Sequence, residues 1–158
     1  EKIQTCLSHG ADEAFVYPAG NLDRDQQKEL SSKIKELTGG VGVNVIYDPV
    51  GGSFSEPALR AIAWEGRFLV IGFAAGDIPK PPLNLALLKG CQIIGVFWGA
   101  WTAMFPDENE KNFQELFELY AAGKINPEIA DRFPLKDAGQ AIAHLKDRKA
   151  KGKVIIDV

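Results

Sequence analysis

Asp48 stands where a β-branched run, Val43-Asn44-Val45-Ile46-Tyr47, breaks through Pro49 and Val50 into Gly51-Gly52. A carboxylate there has two uses: it can face a ligand crevice, or it can turn inward and hydrogen-bond its own backbone, as Asp does before a turn. The paired glycines let the main chain of Val50 to Gly52 turn and approach a ligand closely, which makes the backbone the better candidate for contact. Two further β-rich runs end in a comparable way. Gly66 to Gly72 leads into Phe73-Ala74, and Cys91 to Phe97 leads into Trp98-Gly99. In an open α/β sheet the carboxyl ends of the strands form the ligand crevice, while aromatics at such ends also serve core or subunit-interface packing.

Other reactive side chains form no constellation. His9 and His144 have no ligand spacing with each other or with Cys6 and Cys91, so no zinc site is readable. The two cysteines read as small buried side chains in a reducing compartment. His9 suits the carboxyl end of a short helix, and His144 the surface of its own. Gly39-Gly40-Val41-Gly42 ends a helix and opens a strand, the reverse of a dinucleotide-binding glycine turn, and reads as a helix stop.

The elements that must position these residues follow from periodicity. Ile3, Cys6 and Leu7 lie on one face of a helix over Lys2 to His9, stopped by Gly10. Ala14 to Tyr17 reads as a short strand. Asp23 or Asp25 caps a helix whose buried stripe is Leu30, Ile34 and Leu37. After the Val43 strand come a helix over Phe54 to Ala63, the Gly66 strand, a loop to Pro82, a short helix over Leu83 to Leu88 and the Cys91 strand, the alternation of a doubly wound parallel sheet. Pro106 to Ala122 predicts an amphipathic helix carrying Phe113, Leu116, Phe117 and Tyr120. Beyond it the pattern predicts an extended piece over Ile129 to Leu135, a helix over Lys136 to Asp147 with Ala138, Ala141, Ile142 and Leu145 inward, and a strand over Lys153 to Val158.

With 158 residues, 46% of them hydrophobic, the chain can bury one sizeable core. A formal charge of −3 offers no basic field for nucleic acid, and no apolar run approaches the roughly 18 residues of a membrane span. A soluble cytoplasmic protein is the expectation. The chain opens on Glu1 and its one methionine is Met104, so an excerpt or a processed product is expected.

Tyr47-Asp48-Pro49-Val50-Gly51-Gly52, then Leu59-Arg60-Ala61-Ile62-Ala63-Trp64-Glu65-Gly66-Arg67-Phe68-Leu69-Val70-Ile71-Gly72-Phe73, then Val96-Phe97-Trp98-Gly99, together resemble the zinc-free quinone oxidoreductase (zeta-crystallin-like) branch of the medium-chain dehydrogenase/reductase family. The resemblance runs from Glu1 to Val158. It implies an α/β fold: a partial Rossmann-type doubly wound parallel sheet lacking its first two strands and its phosphate loop, over residues 1–122. Residues 123–158 are then a C-terminal segment that in the family returns to the substrate domain.

By the same resemblance the cofactor is NADPH. Lys2 and Tyr17 then match a Lys and a Tyr that contact its 2′-phosphate, an ammonium and a phenol suiting a dianion. Asp48, Val50 and Gly51 fall near ribose and pyrophosphate; Gly72, Phe73 and Ala74, with Phe97, Trp98 and Gly99, border the nicotinamide. The implied reaction is hydride transfer to a quinone or an α,β-unsaturated carbonyl, with no strong acid or base from this half. The resemblance also implies a homodimer formed through the edge strand Gln92 to Phe97. Absence of the first two strands leaves Val43 to Tyr47 an open apolar edge, so rearrangement, strand exchange, a partner polypeptide or poor solubility is expected, and the chain alone is not expected to be a competent enzyme. The rival expectation is a non-catalytic dimerisation or interaction module; a different Rossmann-like domain, such as a methyltransferase, is the weaker one.

Overall fold

Three of the apolar runs pair side by side in one parallel sheet. The computed structural model describes all residues, Glu1–Val158, and divides into two compact units, Phe15–Trp101 and Glu1–Ala14 with Thr102–Val158. The boundary expected at Ala122 falls inside the latter unit.

In the Phe15–Trp101 unit, β1 (Val43–Asp48), β2 (Ile62–Val70) and β3 (Gln92–Gly95) form a sheet of order β1-β2-β3, parallel throughout. The crossovers are α3 (Ser55–Arg60), reached through a 3-10 turn at Gly52–Phe54, and α4 (Asn84–Lys89). Helix α2 (Arg24–Leu37) precedes β1 and packs on α3. Asp23 caps α2 by a capping box: its Oδ1 accepts from the Gln26 amide at 2.9 Å, and the Asp23 amide donates to Gln26 Oε1 at 3.0 Å. The glycines after α2 do stop it, with the Gly39 and Gly40 amides closing on the Glu36 and Lys35 carbonyls. Leu59, Ile62, Phe68 and Leu85 make the buried core, with Ile46, Ala58, Val70 and Cys91 packed against it. Each fully buried side chain of this kind contributes about 1.5–3 kcal/mol.

Two elements depart from the sequence reading. The helix expected to reach Ala63 ends at Arg60, and β2 starts at Ile62. Val43 pairs with Ile62 but Val45 with Arg67, so the intervening residues bulge out, with Glu65 at φ 58°. Gly42 permits this join. A Cβ there would stand 2.6 Å from the Ala61 carbonyl oxygen and 2.8 Å from the Ala63 nitrogen. The strand expected over Ala14 to Tyr17 is absent: the segment is irregular and belongs to neither sheet. Its β-prone residues have no neighbouring strand to complete a ladder, which is what strand formation requires. On the far side of the sheet β1 is an unpaired edge, with Val45 and Tyr47 exposed.

The other unit holds α1 (Lys2–Ser8), α6 (Pro106–Ala121) and a β–α–β piece: β4 (Ile129–Pro134), a 3-10 turn at Leu135–Asp137, α7 (Ala138–Lys146) and β5 (Lys153–Asp157), with β4 and β5 parallel. Helix α5 (Trp98–Met104) crosses the boundary between the units. Of the stripe expected inward on α7, Ala141 is buried while Ile142 and Leu145 are exposed. Cys6 is exposed on α1, against the expectation of a buried thiol, and Cys91 is half-buried. No helix is long and apolar enough to cross a membrane.

Candidate functional site

Parallel pairing brings Asp48, Val70 and Gly95 into register at the carboxyl edge of the sheet. The loops that follow them therefore gather there, carrying Val50, Gly51, Gly72, Phe73 and Ala74, and then Phe97, Trp98 and Gly99 as α5 begins. Such an edge is where α/β sheets bind ligands.

The Asp48 carboxylate turns inward. Oδ1 accepts from the amides of Val50 at 2.9 Å and Gly51 at 3.0 Å, and Oδ2 accepts from the Ser55 hydroxyl at 2.6 Å. The Gly52 amide donates to the Asp77 carbonyl at 3.0 Å. Three successive amides that a ligand phosphate could have used are thus committed within the protein. The adjoining carbonyls are engaged as well: Pro49 accepts from Ala74 at 3.1 Å and Val50 from Ala75 at 2.8 Å. The glycines serve this loop-to-loop contact. Gly51, at φ 72° and ψ −151°, occupies a region open almost only to glycine, and a Cβ on it would stand 2.9 Å from the Phe73 ring and 3.2 Å from Phe73 Cα. The backbone here approaches its neighbouring loop.

Further along the same edge there is space beside the backbone, with the Gly72 amide donating to the Asp48 carbonyl at 3.4 Å and Gly95 paired with Val70. A Cβ on Gly72 would meet only the Pro49 carbonyl oxygen, at 3.5 Å, and one on Gly95 nothing within 4 Å. Phe73 is 40% exposed, Phe97 79% and Trp98 57%, which argues against core packing for these aromatics. Trp98 and Gly99 belong to α5 rather than to a strand end, and the Phe97 carbonyl accepts from the Trp101 amide at 3.0 Å.

Tyr17 lies against Phe54, ring centroids 5.0 Å apart, and lines a groove of about 820 Å³ with Phe15, Val16 and the face of α2. Lys2 belongs to the other unit, where its ammonium donates to the Arg148 carbonyl at 2.7 Å. Its neighbour Glu1 pairs with Lys151 at 2.9 Å. That cation holds the Glu1 carboxyl below the usual carboxylate range and is itself pushed up. Sequence reasoning missed Ser55 and Asp77, which fix the Asp48 loop. Only the serine opening the next helix hinted at the former.

The second histidine is not a free surface group. His144 Nε2 lies 3.0 Å from Asp131 Oδ2, and its ring packs near Phe133. His9 Nδ1 lies 2.8 Å from the Thr5 carbonyl.

A parallel β–α–β sheet with loops gathered at its carboxyl edge is a Rossmann-like α/β architecture. The family pattern described as zinc-binding dehydrogenase matches residues 9–156, and the chain belongs to that family. It is 35% identical over 158 residues to quinone oxidoreductase-like protein 2 of Bos taurus, covering 100% of this chain and 43% of that protein. It is 29% identical over 158 residues to quinone oxidoreductase 1 of Escherichia coli, covering 99% and 46%. Among solved structures, a mycobacterial protein complexed with NADPH superposes with a TM-score of 0.81 at 25% identity, covering 98% of this chain and 46% of that one. A probable oxidoreductase from Mycobacterium abscessus gives 0.77 at 28%, covering 99% and 43%. The chain thus spans less than half the length of these relatives. They set it beside the quinone oxidoreductases of the medium-chain dehydrogenase/reductase family, with the α/β fold expected from sequence.

Zinc is a separate matter despite the family's description. No group of three or more His, Cys, Asp or Glu side chains is placed to hold a metal ion, and the donor set of this chain does not fit one. A nicotinamide cofactor fits part of the edge. The space beside Gly72 and Gly95 and the exposed aromatics suit a flat ring, while the amides of Val50 to Gly52 are bonded within the protein.

Proposed function

We propose that this chain is the nicotinamide-side portion of a cytoplasmic NADPH-dependent reductase acting on a quinone or an α,β-unsaturated carbonyl. The supporting observation is the carboxyl edge beyond Val70 and Gly95, where no side chain fills the space beside Gly72 and Gly95 and Phe73, Phe97 and Trp98 are exposed. The cofactor, when bound, supplies the hydride. The work of these residues is to orient: Gly72 to Ala74 lie against one side of the carboxamide end, and Phe97 and Trp98 limit the ring to one face and shield it from water. Asp48 takes no part in proton transfer. It holds the loop that frames the site. Tyr17 offers a phenol to the 2′-phosphate, and Lys2 is a separate candidate for that anion.

We further propose a homodimer paired through β3. Its outer edge is unpaired, and Ile93, Val96 and Phe97 beside it are exposed. Light scattering on the natural gene product, compared with an Ile93→Lys variant, tests that pairing.

The test of function is titration of the natural gene product with NADPH and NADH, followed by nicotinamide fluorescence and then by absorbance after adding 1,4-benzoquinone. The expected result is micromolar NADPH binding, at least about tenfold weaker NADH binding and quinone-dependent oxidation of NADPH. A dimer that leaves the fluorescence of both cofactors unchanged refutes the reading and leaves an interaction module.

A further inference from the structure

A second groove, of about 790 Å³, runs between α2, α3 and α4, and its lining is chemically two-sided. Five cations line it: Arg24, Lys28 and Lys35 from α2, Arg60 from the last turn of α3 and Lys89 from the last turn of α4. Two acids accompany them. Glu56 is consumed by Arg60, accepting from its Nε at 2.9 Å and its Nη2 at 2.7 Å, and Asp25 is in no ion pair. Arg24, Lys28, Lys35 and Lys89 are likewise in no ion pair. Unpaired like charges gathered around a concavity repel one another, in a chain whose overall charge is −3. Arg24 is the first residue of α2, where the helix dipole disfavours a cation. Helix stability does not account for it there.

Spacing gives the concavity a direction. Arg24, Lys28 and Lys35 fall on one face of α2 and span about 16 Å along its axis, at 1.5 Å per residue. That is longer than a compact small anion and lies between four and six steps of an extended chain, about 13 and 20 Å, the separations at which its residues share a face. Facing them, Leu88 is exposed and supplies the apolar side, with the buried Pro57 and Leu85 beneath it. An extended peptide presents alternate side chains to opposite faces, so acids at every second residue meet α2 while apolar residues between them meet α3 and α4. We propose that this groove binds an extended acidic peptide segment of a partner protein, one with alternating acidic and apolar residues. The surface is separate from the carboxyl edge of the sheet, and its occupancy does not depend on the proposed reductase activity.

Fluorescence polarisation on the natural gene product tests this with a fluorescein-labelled heptapeptide carrying Glu at its first, third, fifth and seventh residues and Leu between. The control has the same composition with its four Glu contiguous. The expected result is binding of the alternating peptide at least about tenfold tighter than of the control, weakened about tenfold or more both by K28E/K35E and by the milder K28Q/K35Q, and reduced by salt. Equal binding of both peptides, binding untouched by either double variant, or displacement by an equal concentration of inorganic triphosphate would each overturn the proposal. The last would reassign the groove to small polyanions.

Discussion

Replacing Asp48 by Ala separates a structural carboxylate from a ligand contact. The substitution removes three charge-assisted hydrogen bonds at once: those from the Val50 and Gly51 amides and that from the Ser55 hydroxyl. The two amides sit in a partly buried loop that water can reach after the change, so each loses about 1 kcal/mol. Ser55 is 2% exposed, and its hydroxyl is left without its acceptor, which costs about 1–3 kcal/mol. The sum is about 3–5 kcal/mol, a large share of a domain's usual stability of about 5–15 kcal/mol.

The assay is urea denaturation of Asp48→Ala, Ser55→Ala and the double variant, with hydrogen exchange at the Val50 and Gly51 amides. Removing Ser55 once Asp48 is gone is expected to cost little, giving a coupling energy of about 1–2 kcal/mol, and both amides are expected to lose protection. A loss below about 1 kcal/mol together with abolished NADPH binding refutes the reasoning, because the carboxylate would then be serving the ligand rather than the loop.

Gly51→Ala is expected to destabilise the protein by about 2 kcal/mol or more, since its backbone conformation excludes a Cβ and Phe73 stands in the way; thermal melting measures it. Asp23→Ala removes half of the α2 capping box and is expected to cost about 1 kcal/mol in urea denaturation, with Gln26→Ala costing less. Lys151→Gln is expected to return the Glu1 carboxyl to its ordinary titration range, read by NMR. The Glu1 carboxyl is lowered in the folded protein, so the pairing is present above the ordinary carboxylate range and lost as pH falls through the lowered value; both groups are fully exposed, and overall stability stays unchanged.

The parallel core was legible because it is written in local pattern. Val43 to Asp48, Phe68 to Val70 and Gln92 to Gly95 are apolar runs bounded by glycines or breakers, and each is a strand where its run predicts, although the edge strands β1 and β3 are largely exposed rather than buried. What local pattern could not show was the partner each group takes. Ala14 to Tyr17 has the residues of a strand and no ladder to join. The inward stripe of α7 needed a surface to meet Ile142 and Leu145, and both are exposed. The Asp48 carboxylate was readable as either a ligand group or a turn group, and only the distances to Val50, Gly51 and Ser55 decide for the turn.

That decision bears on the proposed cofactor edge. Amides already bound to Asp48 and Asp77 cannot reorganise toward an incoming phosphate without breaking hydrogen bonds worth about 1 kcal/mol or more each. In the proposed function, discrimination at this edge falls to shape: the space beside Gly72 and Gly95 and the exposed rings of Phe73, Phe97 and Trp98. Shape sorts a flat ring from other ligands only if the walls hold still. The Asp48 staple, bound to the Phe73 loop through the Ala74 and Ala75 amides, supplies that rigidity. On this argument a change at Ser55 or Asp48 loosens ring orientation before it affects phosphate binding.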